Sequence, residues 1–173
     1  MSSELRVDKI VPTDGVPTGG GGGIVQVVFA QNNTAASQAN AATTQTTLFF
    51  TNLQATITPK FSTSKILVKV NQNYNLNVAS AAQLQANFFI CNTSGTILQG
   101  GSPNFDQIRL KTIQAHAGTH SIDFLHSPNT TSAFTYKVYG NNYYCSSGTS
   151  TLDVHTGSRA NAFSTMTLME VSA

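Results

Sequence analysis

A chain of 173 residues, 40% of them hydrophobic, is long enough for one ordinary domain with a buried core. Only 9% of its residues are charged and its net charge is +2, which argues against nucleic acid or an anionic membrane as partner, since such binders concentrate Lys and Arg. Thr, Ser, Asn, Gln and Ala take the place of charge, a balance that fits an all-β extracellular or assembled protein better than a disordered chain or a cytosolic enzyme.

The opening residues Met1–Arg6 hold no apolar run after their first positive charge, and nothing approaches the roughly 20 apolar residues of a membrane helix. Synthesis in the cytoplasm without a secretory signal, and no membrane insertion, are therefore expected. Ser3–Val11 reads as a short strand with Leu5, Val7 and Val11 on one face, interrupted by Lys9. Pro12–Gly23 combines Pro12, Asp14-Gly15, Pro17 and five consecutive glycines, which predicts a turn and a flexible linker. A glycine run cradles phosphate only with a strand before it, a helix after it and usually a Lys-Ser/Thr, and that context is missing. The chain divides near residue 22, into an N-terminal segment with its linker (1–22) and a head domain (23–173).

Ile24–Ala30 is apolar and β-branched, a strand buried on both faces or lying at a subunit contact. Gln31–Thr47 is rich in Ala but has no apolar stripe, and its threonines oppose a helix, so a long loop into a strand at Leu48–Phe50 is expected. Thr56–Val70 is the clearest stretch. Leu53, Ala55 and Ile57 alternate with polar residues, Pro59 ends the pairing, Ser62–Ser64 turn, and Ile66, Val68 and Val70 alternate with Lys65, Leu67 and Lys69. That pattern predicts a hairpin with one buried side.

Gln83–Cys91 puts Leu84, Ala86, Phe88 and Ile90 on one face, and Asn92–Gly95 turns it into Thr96–Leu98. Gly100–Asn104 is a predicted loop. Gln107–Ala115 and Ile122–His126 follow as two strands, then Phe134–Tyr139, which Gly140-Asn141-Asn142 turn back into Tyr143–Cys145. Leu152–His155 and Ser164–Val171 complete the set, with Thr156–Asn161 a loop between them. Met166, Leu168 and Glu170 share one face of the last strand. About ten strands, turns every 8–15 residues and no amphipathic helix predict an all-β fold, an antiparallel sandwich or jelly roll.

The two cysteines, Cys91 and Cys145, are expected as buried thiols and not as a disulfide framework. His116 and His120 are spaced to share one face of a strand, or to face each other across a turn at Ala117-Gly118, with Asp123 and His126 close behind. Imidazole and carboxylate suit Zn or Fe, which makes this pair the one candidate for a metal. Exposed or hydrogen-bonded histidines are the ordinary alternative, and no cofactor is expected. Serine is too plentiful for spacing to single out a nucleophile, and no Gly-x-Ser-x-Gly elbow is present. Asp106, Asp123, Asp153 and Glu170 are the only acidic residues after the linker, and most read as loop caps or solvent-facing strand positions more than as a glycosidase pair. The stretch from Tyr139 to Tyr144, with Asn141, Asn142 and Tyr143, is the best candidate for ligand contact, because Tyr and Asn suit sugar recognition. The alternative is that Tyr143 and Tyr144 pack the hairpin.

Three stretches in this order carry a resemblance: Ile57-Thr-Pro with Ser64-Lys-Ile-Leu-Val; Phe124-Leu-His-Ser-Pro-Asn-Thr-Thr-Ser-Ala-Phe-Thr-Tyr-Lys-Val; and Ser164-Thr-Met-Thr-Leu-Met-Glu-Val. Together they resemble virion structural proteins, mostly tail-fibre or appendage proteins, of bacteriophages that infect aquatic bacteria. Glu4-Leu-Arg-Val-Asp-Lys-Ile-Val resembles the short β segment that often begins such proteins. The resemblance implies a non-enzymatic particle component, homotrimeric, with a β-rich head behind an N-terminal attachment segment built on Leu5, Val7, Ile10 and Val11. Its partners would be itself, other virion proteins and a host-surface glycan or protein. The N-terminal part is far shorter than a fibre shaft, which leaves a capsid decoration protein open. An enzyme or binding module for surface polysaccharide is the third reading.

Overall fold

The computed structural model describes residues 23–41, 43–99, 107–155 and 163–172. The attachment segment with Leu5, Val7, Ile10 and Val11, most of the glycine linker and the loops at 100–104 and 156–161 lie outside the described residues. The described chain is all-β and antiparallel, with eight strands. These are β1 (Ile24–Asn32), β2 (Ala36–Ala41), β3 (Phe49–Ile57), β4 (Lys65–Cys91), β5 (Gln107–His126), β6 (Phe134–Cys145), β7 (Thr149–Val154) and β8 (Ser164–Val171).

Every ladder leads to β4. This strand is 27 residues long and is paired on both edges. One edge carries β5, from Ile66 opposite His126 to Asn87 opposite Gln107. The other edge is shared in succession by β8 (at Lys65–Asn71), β7 (at Tyr74–Val78) and β6 (at Leu84–Cys91). Each of these carries one more strand outward: β8 pairs β1, β7 pairs β2 and β6 pairs β3. A straight strand of this length would run about 90 Å at roughly 3.3 Å per residue. Instead the β4–β5 register shifts between Asn77 and Ala82 and again before Leu84. Such irregularities bend a ladder. The two halves of β4 thus serve two layers, and β3, which hangs from the second half through β6, lies against β1 and β8, which hang from the first. The result is a sandwich of jelly-roll type.

The core follows period two. Ile66, Val68, Val70, Tyr74 and Leu76 face inward from the first half of β4, and Leu84, Ala86, Phe88 and Ile90 from the second. Leu53, Ala55 and Ile57 of β3, Tyr136 and Val138 of β6, Leu152 and Val154 of β7, and Met166 and Leu168 of β8 meet them. β8 is an interior strand with Met166, Leu168 and Glu170 on its buried face, as its alternation predicts, whereas Met169 is half-buried. Cys91 and Cys145 are both free and buried, and burial pushes the Cys91 thiol up to about 12.

Several predicted turns and loops are absent. Residues 58–64 do not close a hairpin, because β3 pairs β6 while β4 pairs β8; the segment crosses from one layer to the other. Residues 31–47 are not all loop: Ala36–Ala41 form β2, held by β7. The pieces 107–115 and 122–126 are one strand, with Gly118 inside it at the place where the Tyr74 ring lies across the backbone. Gly140-Asn141-Asn142 do not turn. β6 runs through them, and about ten expected strands become eight. β1 is an outer strand with one face in solvent and not a strand buried on both faces. The turn at Asn92–Gly95 does form, with Gly95 at φ +80° and its N–H donated to the Asn92 carbonyl, but its return is reduced to a bridge between Cys91 and Ile97.

Gly140 is small because two rings cross it. A Cβ there would stand 2.6 Å from Phe49 Cε1 and 3.2 Å from Phe88 Cε1. Gly140→Ala is expected to lower stability by about 1–3 kcal/mol through overpacking. Urea unfolding measures this, and an unchanged midpoint would show that the Phe49 ring can move aside freely.

Candidate functional site

The stretch predicted to touch ligand is interior where its amides lie. Asn142 is fully buried and its backbone N–H donates to Gln38 Oε1 at 2.7 Å. Its side chain donates to the Gln38 carbonyl at 3.1 Å, and its own carbonyl accepts from Asn40 Nδ2 at 2.8 Å. Asn141 Nδ2 donates to the Thr47 carbonyl at 2.7 Å and to the Gln45 carbonyl at 3.1 Å. These amides tie β6 to β2 and to the approach to β3, doing inside the fold what a hairpin tip would do outside it. Tyr139, Tyr143 and Tyr144 are half-buried, and Tyr139 packs on Phe50 with centroids 5.6 Å apart. The stretch is therefore not an open ligand platform.

His116 and His120 share the inner face of β5, as one continuous strand requires. They are used separately. His116 Nδ1 meets the Tyr74 hydroxyl at 3.1 Å and its ring stacks on Tyr74, while His120 packs on Phe88 at 5.8 Å. Asp123 points to the other face and pairs with Lys69 at 2.7 Å. His126 meets the Tyr136 hydroxyl at 2.8 Å and lies among Phe124, Phe134 and Tyr136; burial holds it below the ordinary histidine range. Among the described residues no group of three His, Cys, Asp or Glu side chains converges as a metal site.

A buried hydrogen-bond chain crosses the sandwich. Gln72 Nε2 and the Asn73 N–H both donate to Ser164 Oγ at 2.8 Å. Ser164 Oγ lies 3.2 Å from His155 Nδ1, and His155 Nε2 lies 3.0 Å from the Thr51 carbonyl. Thr51 Oγ1 in turn donates to the Val138 carbonyl at 2.9 Å. Burial lowers the His155 pKa against a smaller upward pull from the Thr51 carbonyl, so the ring is neutral, donating at Nε2 and accepting at Nδ1. Ser164 and His155 thus resemble a nucleophile and its base, but Ser164 is fully buried and two donors already occupy its oxygen. The pair braces β7 against the start of β8.

Glu170 is the second brace. It stands at the end of β8 with no exposed surface and is not the solvent-facing or cap position expected, because its register puts it on the inner face with Met166 and Leu168. Its carboxylate accepts from the backbone N–H groups of Lys60 and Phe61, at 2.8 and 3.3 Å, and from Gln26 Nε2 of β1. Gln26 Nε2 also donates to the Thr58 carbonyl at 2.7 Å. Burial pushes the Glu170 carboxyl up, but its hydrogen-bond donors, Gln26 and the two backbone N–H groups among them, together outweigh it and hold it below its ordinary value. One carboxylate therefore fixes the layer-crossing segment 58–64 and the outer strand β1. The clue in sequence is its register: Glu170 follows Met166 and Leu168 on the buried face, where an unpaired charge is not tolerated.

The outward face of β1, β8, β4 and β5 has a different character. Val27, Met169, Leu67 and Leu125 are opposite one another in register, so an apolar row crosses four strands. Its two ends are open: Val27 is 55% exposed and Leu125 52%. Ile24 and Phe29, each 59% exposed, flank the row on β1. The next row holds the Lys69–Asp123 ion pair. β1 itself, Ile-Val-Gln-Val-Val-Phe-Ala-Gln-Asn, contains neither charge nor proline, the usual protections of an outer strand. This row is invisible to sequence reading because it depends on the register of four segments distant in the chain.

No protein-family model matches the sequence, and no curated protein sequence matches it. Among solved structures, the chain is similar to the structure of infectious bursal disease virus, Gx strain, with a TM-score of 0.40 and 9% identity over 86% of this chain and 40% of that one. It is also similar to a mutant VP2 protein of the same virus in derived T=1 particles, with a TM-score of 0.36 and 9% identity over 84% of this chain and 36% of that one. The chain thus spans less than half the length of either.

The depressed Glu170 pKa has a sign. Its stabilisation is complete above the unfolded value near 4.5 and is lost as pH falls through the lower folded value. Neutral His155 acts in a separate window, where stability declines as pH falls from 6.5 toward its lowered folded pKa. Glu170→Gln should cost about 2 kcal/mol at pH 7, the range for buried hydrogen bonds to a charged group. It should also flatten the stability profile below pH 4.5 while leaving the histidine window intact. Urea unfolding from pH 7 to pH 3 tests both, and a variant that keeps the full acid slope would assign that slope to another group.

Proposed function

We propose that this chain is a non-enzymatic virion structural protein, a phage tail-fibre or appendage component that assembles as a homotrimer and is fixed to the particle through residues 1–22. The observation that carries this reading is the open apolar row Val27–Met169–Leu67–Leu125 beside the unprotected edge of β1. Soluble monomers keep large apolar groups off flat outer strands, because such an edge recruits other chains. Three copies closing around an axis would cover the row together with the edge of β1. The row is about 14 Å wide across four strands at the usual spacing. Burying Val27 or Phe29 fully contributes roughly 1.5–3 kcal/mol per side chain.

The polar groups support a structural role as well. Ser164 is enclosed, Asp123 is paired with Lys69, Asp153 with Asn77, and Glu170 with the 58–64 crossing. None of these carboxylates is left facing a second one, as glycoside hydrolysis requires.

Light scattering on the full chain should give about three times the 18.3 kDa subunit mass. The double variant Val27→Lys, Phe29→Lys should give folded monomers, with circular dichroism unchanged. A wild-type monomer at every concentration would overturn the assembly. Antibody labelling of particles places the chain, with tail label supporting an appendage and label spread over the head identifying a capsid decoration protein instead.

A further inference from the structure

Residues 71–77, Asn-Gln-Asn-Tyr-Asn-Leu-Asn, place four asparagines at alternate positions of β4. Gln72, Tyr74 and Leu76 are buried, so Asn71, Asn73, Asn75 and Asn77 all stand on the outward face. Asn is depleted in strands, on a scale that spans about 1 kcal/mol per position. Threonine would suit a merely solvated face better, so four such residues on the central strand are a stability cost that solvation does not explain.

The ladder is ordered, and one rung is left open. Asn71 Oδ1 accepts from Ser121 Oγ at 2.7 Å and Asn73 Oδ1 from Thr119 Oγ1 at 2.6 Å. Asn73 Nδ2 donates to the Phe163 carbonyl, and Asn77 Nδ2 to Asp153 Oδ2 at 2.9 Å. Asn75 lies between Ala117 on β5 and Asp153 on β7, and its side chain makes no hydrogen bond among the described residues. Its amide donor and acceptor, Asp153 Oδ1 and Asn77 Oδ1 are all uncommitted. Ala115 and Ala117 are exposed and too small to cover them. Phe163, 43% exposed, brings an aromatic residue to the same ladder.

We propose that Asn75, Asn77, Asp153 and Phe163 form a binding site for a neutral glycan. Adjacent sugar hydroxyls both donate and accept, which matches a carboxamide beside a carboxylate oxygen. The C–H face of a pyranose packs against an aromatic residue. The Asp153 charge and the absence of a basic side chain among these four residues disfavour an anionic ligand. Asn75 is eight residues from Leu67, about 26 Å along β4. The site is complete within one subunit, so it does not depend on the apolar row or on the assembly proposed from it.

The test uses the full chain on a printed array of neutral hexose and N-acetylhexosamine oligosaccharides, followed by calorimetric titration with the strongest hit. Asn75→Ala and Phe163→Ser should each weaken binding at least tenfold, with melting temperature and oligomeric state unchanged. Asp153→Asn, which keeps an oxygen toward Asn77, should weaken it less than Asp153→Ala. No retention of any neutral oligosaccharide at millimolar concentration would overturn the proposal, as would wild-type affinity in Asn75→Ala. Light scattering on the same samples reports the assembly separately, so either idea can fail alone.

Discussion

The fold depends on one strand being paired along both edges through a change of layer. Among the described residues, β4 joins the strands of the two layers through backbone hydrogen bonds, with β8 and β7 on its first half and β6 on its second. Its inward register therefore fixes which side chains form the core in each layer, from Ile66 to Leu76 and from Ala82 to Ile90. A one-residue slip anywhere along it would turn these residues outward and bring the asparagines in. The irregularity between Asn77 and Leu84 is where the strand can bend without such a slip. β7 and β2 pair beside that irregularity, closing the corner between the layers.

Polar braces complete what the apolar core leaves loose. The chain from Gln72 through Ser164 and His155 to Thr51 links β4 and β8 to β3, and Glu170 links β8 to β1 and to the crossing segment. Hydrogen bonds inside a low-dielectric core are costly to leave incomplete, so such chains favour one arrangement of the layers over near alternatives. His155 holds a left-handed backbone, φ 59°, where β7 ends, and its ring is bonded at both nitrogens. Two hydrogen bonds thus hold this residue in its strained conformation.

Alternation made much of this legible from sequence. The buried sets Leu53–Ala55–Ile57, Ile66–Val68–Val70, Leu84–Ala86–Phe88–Ile90 and Met166–Leu168–Glu170 follow from period two alone. The errors cluster at residues whose local preference is overruled by tertiary partners. Gly140-Asn141-Asn142 has the chemistry of a turn, yet Phe49 and Phe88 require the glycine and β2 engages the amides. Gly118 reads as a break in β5 but accommodates Tyr74. Pro59 and the serines after it do turn the chain, but a turn between layers and a hairpin have the same local sequence. The His116–His120 spacing allowed either one shared face or a turn between them; the continuous β5 puts both on one face, and their aromatic neighbours depended on residues far away in the chain. The Asn75 surface was encoded openly, as a period-two run of asparagines, but only the neighbouring strands reveal which of its amides is uncommitted.

The Ser172 N–H donates to the Gly23 carbonyl at 3.0 Å, so the start of β1 and the end of β8 are clasped together at one end of their ladder. A pull on residue 23 along the axis of β1 loads every rung from Ile24 to Asn32 at once, and β8 hands that load to β4. A pull across the strand instead strains the clasp first and then the rungs in sequence, beginning with the irregular one between Ile24 and Gln26. The same hydrogen bonds therefore make a stiff joint in one direction and a zipper in the other, and the angle of the pull, more than the number of bonds, sets the force that the outer strand bears.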